Sequence, residues 1–447
     1  MFFWYIFGPI DSKNPQFHKS SLSLQAFMSR LLKTESLQIF KIKEFRSFIL
    51  ARFFLTLAIQ MQFSTISLQV YYEYTKEELM LGLIGLTEAV PFIISSFFSG
   101  HLADNYPRKK IILAGTFFLL LGAVFLFCNS QPLIHLFKSF GLIALFFIVF
   151  LFGIIRSFLA STMNPFMSQI VPRHFYTHSA TWNSTFWHAG SILGPVVAGI
   201  IYGLNNQYNA NWCHAIEIIL FALAFIFILR IKNKGLPENV NSKEPILQSM
   251  KVGLNFVLKN KMVLSALSLD LFAVLFGGAV ALIPAFTDKI LHLGPEAYGF
   301  LRTSPAIGAV IMSVIMIFIP PTKKAGIALL WSVVAFGAFT ILFALSENYW
   351  LAFFCLALTG AFDNVSVVIR HSILQLSTPD NMRGRVSAIN SIFIGSSNEI
   401  GAFESGGAAK LFGLVPSIIL GGVITIGVVL GINKINPELK KMDLSKL

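Results

Sequence analysis

Residues 111 to 137 run without a single Asp, Glu, Lys or Arg. About 20 apolar residues are enough for a helix to cross the roughly 30 Å hydrocarbon core of a bilayer. The same signal recurs along the chain. It predicts twelve spans, near 46–72, 79–103, 111–130, 138–163, 178–203, 212–230, 261–287, 296–319, 325–345, 348–371, 384–409 and 412–433. The expected fold is an all-α membrane protein. Its parts are a tail over 1–45, a first set of helices over 46–230, a linker over 231–260, a second set over 261–433 and a tail over 434–447.

The charges orient this array. The 34 Lys and Arg against 21 Asp and Glu would suit a nucleic-acid binder, but their placement argues otherwise. With both termini inside, 27 of the basic residues fall in tails and inward loops. Lys76, Lys138, Lys289 and Lys410 lie at outer ends, and Arg52, Arg156 and Arg302 lie within spans. That asymmetry is the positive-inside rule, so the surplus reports topology, with both ends cytoplasmic, rather than a polyanionic partner. Cys128, Cys213 and Cys355 sit in spans at unrelated spacings and read as small apolar residues, not a disulfide or metal framework. No G-x-x-x-x-G-K-[ST] loop is present, which argues against ATP-driven work by this chain alone. Met1 to Ile10 is apolar but too short to span, with no basic region before it as in a signal peptide. Residues 11–45 are polar and basic, so a cytoplasmic tail is expected; whether residues 1–27, upstream of Met28, belong to the native protein is left open by the sequence.

An internal repeat divides the helices. Pro172, Asn183, Ser184 and Phe186 recur as Pro379, Asn390, Ser391 and Phe393, each 207 residues on. The same offset pairs Gly153 with Gly360 and Arg156 with Asp363. The repeat divides the spans into two pseudo-symmetric six-helix bundles.

The loop joining spans 2 and 3 is Gly100-His-Leu-Ala-Asp-Asn-Tyr-Pro-Arg-Lys-Lys110. It resembles the loop at that position in the major facilitator superfamily of transporters, with Pro107 in place of the usual Gly. The resemblance implies a conformational latch at Gly100, Asp104, Arg108 and Lys109 that holds the outward-facing state. The same charges also serve if they only fix topology. Gly190-Ser-Ile-Leu-Gly194-Pro195-Val-Val-Ala-Gly199 resembles the superfamily's antiporter signature, with Ala198 for one Gly. Small residues four apart let helices approach closely, so ordinary packing is the alternative use of this helix. Thr378 to Gly406, Asp270 to Gly278 and Gly294 to Arg302 resemble the enterobactin-exporter-like branch, the transmembrane secretion effectors, with Ala402 where a Glu is expected.

Intramembrane charges cost roughly 2.5–3.5 kcal/mol each on insertion scales and usually face a cavity or a partner. Glu88, Arg156, Asp270, Arg302, Asp363 and Glu399 are the expected substrate and proton pathway, and Arg52, Glu217 and Glu404 are further charges of this kind. Glu399, near mid-depth on a Gly- and Ser-rich helix, is the expected proton carrier. The alternative is structural: Arg156–Asp363 and Arg302–Asp270 are plausible internal ion pairs that only fix packing, and the repeat does not establish that Arg156 and Asp363 touch. Together these features imply a monomeric, non-enzymatic exporter of a bulky small molecule in the bacterial inner membrane, driven by protons without a cofactor. A lysophospholipid flippase and a non-transporting sensor of the same fold are the alternatives.

Overall fold

The computed structural model describes residues 38–130, 141–204, 209–232, 246–319, 321–379 and 382–444. The amino-terminal segment through Met28, Lys138 and residues 233–245 of the linker lie outside the described residues. The first six helices are α1 (Lys43–Gln69), α2 (Glu78–Asn105), α3 (Arg108–Asn129), α4 (Gly141–Ile170), α5 (Tyr176–Gly203) and α6 (Ala210–Leu229). A linker helix, α7 (Ile246–Lys259), leads to α8 (Lys261–Phe276), α9 (Ile283–Lys289), α10 (Pro295–Phe318), α11 (Ala325–Ala344), α12 (Tyr349–Ser377), α13 (Arg383–Phe412) and α14 (Leu414–Ile435). Asn260 separates α7 from α8 by accepting hydrogen bonds from the backbone N–H groups of Met262 and Val263 at 3.1 and 3.2 Å, an N-cap that restarts the helix. α8, a 3₁₀ turn and α9 form one crossing.

Among the described residues, 11 stretches are long and apolar enough to cross a membrane. The twelfth crossing is α13, whose Arg, Glu, Gly and Ser content lowers its hydropathy. It packs lengthwise on α2 and also against α8 and α14. A polar helix stands in a bilayer when its neighbours cover it.

The helices form two six-crossing bundles. In the first, α1 packs on α5 and α6, α2 on α4, and α3 on α4 and α6; in the second, α12 packs on α10 and α11, α14 on α11, and α8 on α13. The bundles meet along two seams, α2 with α13 and α5 with α10. Adding 207 to the last residue of α4 and the first of α5 lands on Ser377 and Arg383, the observed limits of α12 and α13. The repeat in the sequence is therefore a repeat of structure, and it exchanges the two seams.

The bundle has a basic end, carrying Arg108 to Lys110 and the linker, and a far end. At the basic end, packing begins before α1: Ile39 is buried, and the ring of Phe40 meets that of Trp182 at 4.9 Å.

Candidate functional site

Four charged side chains converge where the bundles meet. Glu88 of α2 is 3% exposed and is paired with the guanidinium of Arg156 on α4. Glu399 of α13 lies within the electrostatic reach of Arg156 and of Arg302 on α10. A Cβ at Gly85 of α2 would stand 3.5 Å from Oε2 of Glu399. Glycine at that position lets α13 bring its carboxylate close to α2. Arg302 reaches from the second bundle over the Phe63 ring of α1, 5.5 Å from its centroid, and donates to the Val280 carbonyl at 3.5 Å. A small cavity beside Glu88 and Arg156 is walled by Gln62, Ile66, Leu119 and Phe152, and the Gln62 amide nitrogen is buried there without a hydrogen-bond partner. Two guanidinium groups against two carboxyl groups are neutral as a set when all are ionised. Any proton or charged ligand added to the set must therefore change its pairing.

A second cluster lies inside the other bundle. Asp270 of α8 pairs with Arg370 of α12, both buried. Asp363 lies two turns before Arg370 on α12, within the electrostatic reach of both partners. Asp270 and Asp363 share a narrow cavity with Ser332, Phe336 and Ser366. In place of the plausible partners Arg156–Asp363 and Arg302–Asp270, the structure pairs Arg156 with Glu88 and Arg370 with Asp270. Arg370 stands at the last turn of the expected span, where it reads as an inward terminal charge; α12 instead continues to Ser377, and Arg370 is buried inside it. The spacing of seven from Asp363 to Arg370 puts both on one helical face, a signal present in the sequence.

The latch-like loop makes its described contacts within its own bundle. Arg108 Nε donates to the Ala103 carbonyl at 3.1 Å. Lys109 Nζ donates to the carbonyls of Leu229 at 3.1 Å and Ile231 at 2.5 Å, at the carboxyl end of α6 where a cation is favoured. Gly100 and Asp104 occupy the last two turns of α2, and a Cβ at Gly100 would meet nothing within 4 Å.

The glycines of α5 divide their work. Gly190 and Gly194 seat α5 on α1, against Thr56, Leu57 and Met61. Gly199 instead faces the other bundle, where a Cβ would come 2.7 Å from Cα of Gly299. The repeat partner of Gly199 is Gly406, and it meets Gly82 of α2 in the same manner, with a Cβ 2.8 Å from Cα. Pro195 contributes its carbonyl to the α10 crossing, 2.7 Å from where a Cβ on Gly299 would lie.

At the far end, charges tie the bundles together. The Tyr71 hydroxyl donates to Asp288 at 3.1 Å, and Lys76 approaches the same carboxylate at 3.4 Å. Lys289 pairs with Glu78 at 2.5 Å, and Lys410 with Glu77 at 3.7 Å. Lys76 holds this place with a left-handed backbone, φ 52°, at the close of a π-helical turn, Val70–Thr75. Lys76, Lys289 and Lys410 stand at the outer ends that the charge pattern predicts for them. Their partners, some 200 residues away or more, were not legible from spacing.

The family model of transmembrane secretion effectors matches residues 34–447. The enterobactin exporter EntS of Shigella flexneri is 24% identical over 392 residues, covering 86% of this chain and 90% of that protein. EntS of Escherichia coli O1:K1 is 25% identical over the same coverage. Among solved structures, the nucleoside transporter NupG superposes with a TM-score of 0.70 at 12% identity, covering 90% of this chain and 100% of that one. A D-xylose–proton symporter gives 0.69 at 13% identity, covering 89% and 99%. These last likenesses are of fold.

Proposed function

The chain belongs to the transmembrane secretion effector family of major facilitator transporters, and from that premise we propose that it is a proton-coupled exporter of a bulky organic molecule. It is a multi-pass membrane transporter of a small molecule, not an enzyme. The reading rests on Arg156, Glu88, Glu399 and Arg302 meeting at the seam. A ligand held there touches both bundles and is felt by the motion that alternates access.

Glu399 is the exchangeable group. As a carboxylate it accepts hydrogen bonds from hydroxyl or amine donors on the substrate; with a proton bound it loses that charge. Substrate and proton therefore exclude one another, which is the condition for exchange. Phe63 and Phe152 offer aromatic surface beside the charges, in keeping with a siderophore, secondary metabolite or drug-like amphiphile. The printed activity of the EntS relatives supports the same class. The basic end lies in the cytoplasm by the positive-inside rule, with both termini there. With the far end tied, we take the described state as the inward-facing one and assign Gly100, Asp104, Arg108 and Lys109 to the latch of the opposite state. The protein works as a monomer in the bacterial inner membrane, on the proton-motive force, without a cofactor.

The test begins with metabolites that accumulate in deletion cells and leave wild-type cells. Inverted vesicles should concentrate such a compound when their lumen is acidified. Net inward movement of lysophospholipid would replace this reading with a flippase, and absence of counterflow would replace it with a sensor.

A further inference from the structure

A buried histidine–acid pair lies apart from the seam. His214 and Glu217 stand one turn apart on α6, both 0% exposed, with Nδ1 2.9 Å from Oε2. His214 Nε2 is 3.3 Å from Oε1 of Gln69, at the end of α1. The Gln69 amide nitrogen donates to Glu73 at 3.2 Å, and the exposed Glu73 also accepts from the Tyr202 hydroxyl at 2.8 Å. Cys213 on α6 lies within electrostatic reach of Glu217 and Glu73, and Tyr74 within that of Glu73. These are the titratable and charged groups that the described parts of α1, α5 and α6 bring to the pair. α3, which also packs on α6, holds no charged residue over 111–129.

The donor and acceptor chemistry fixes the protons. A carboxylate only accepts, so Gln69 turns its NH₂ to Glu73 and its carbonyl to His214. A carbonyl only accepts, so His214 Nε2 carries a hydrogen. The short contact from Nδ1 to Glu217 then needs one further proton, on the ring or on the carboxyl. Without that proton, two acceptors face each other at 2.9 Å. A shift of tautomer moves the conflict to Gln69, and a turn of the Gln69 amide moves it to Glu73. The one exposed member of the relay is Glu73. It sits in the π-helical turn that carries Tyr71, and Lys76 closes that turn; both are held by Asp288 of the other bundle.

We propose that His214–Glu217 is a proton-binding site separate from the seam, and that its bound proton is required for the far end to stay closed. Loss of the proton is relieved by displacement of Glu73, which carries the turn away from Asp288. The inference goes beyond the export reading.

The experiment uses the full chain in lipid nanodiscs with no substrate, so its outcome does not depend on the export reading. Spin labels at Leu204 and Glu347, exposed far-end positions on either bundle, report the opening. Cys128 is replaced by Ser; Cys213 and Cys355 are buried. Raising the pH should move the wild-type distance from short to long. Glu217→Gln, whose amide donates to Nδ1 of a neutral ring, should remain short at every pH. Glu73→Gln, a surface change, frees Gln69 to turn over and should shift the titration midpoint. A wild-type distance indifferent to pH overturns the proposal, as does a Glu217→Gln protein that titrates like wild type. If Glu217→Gln does not fold, an unmoved midpoint in Glu73→Gln overturns it alone.

Discussion

Arg156 stands between Glu88 of its own bundle and Glu399 of the other, so one guanidinium serves acids on both sides of the seam. Replacing Glu399 by Gln keeps the size of the side chain and leaves Arg156 with Glu88. The expected result is loss of accumulation driven by a pH gradient, with substrate binding and downhill exchange largely retained. Flux in vesicles with and without an imposed gradient checks this. Continued uphill accumulation would remove Glu399 from the coupling role.

Asp270 and Arg370 should behave as a buried pair. Breaking such a pair from one side costs about 3–5 kcal/mol, because the remaining charge is buried alone. Arg370→Gln should be the worse single change, since it leaves Asp270 and Asp363 facing one cavity without their cation. Thermal unfolding in detergent should show the double change, Asp270→Asn with Arg370→Gln, more stable than Arg370→Gln. Strictly additive losses would mean the two residues act independently.

Gly199→Ala and Gly406→Ala each place a methyl where the opposing backbone is under 3 Å away. Neither seam has a flexible side chain there to give way. Each change should favour separation at the far end and reduce turnover, while the fold within each bundle survives. Cysteine accessibility at far-end positions, compared with Gly427→Ala, where a Cβ meets nothing within 4 Å, makes the measurement.

The Lys289–Glu78 bridge is partly exposed, and such pairs are worth roughly 0–1 kcal/mol. Lys289→Glu should therefore leave folding unchanged and shift the closed-to-open ratio only about two- to fivefold. Adding Glu78→Lys should bring the ratio back. The spin-label distance reads both, and failure of the swap to restore closure would deny the bridge a gating role.

Asp104→Asn, on the last turn of α2, should express near wild-type levels and transport poorly. Transport at the full rate would reduce the loop to a topology signal.

The crossings were legible because a bilayer demands apolar length, and the repeat because corresponding helices keep one register. α13 was the weakest of the crossings in hydropathy, and the repeat and the pattern of Thr378 to Gly406 supported it as well. Helix ends were less secure: α12 continues six residues past its expected end, so Arg370 is not a terminal charge but the buried partner of Asp270. The far-end ties and the Gln69–His214 relay were invisible for another reason. Each joins side chains from distant segments, and nothing in local periodicity records which helix will lie opposite.

The backbone crossings Gly199–Gly299 and Gly406–Gly82 have a mechanical consequence. A seam of interdigitated side chains must unseat every knob before it can slide, because packed interiors switch between discrete fits. Here two stretches of bare main chain bear on each other, with nothing to disengage. Two such bearings, exchanged by the repeat, define an axle between the bundles. Rotation about it meets little friction from the bearings, so the barrier to each half-turn resides in the far-end charges and the seam's occupant.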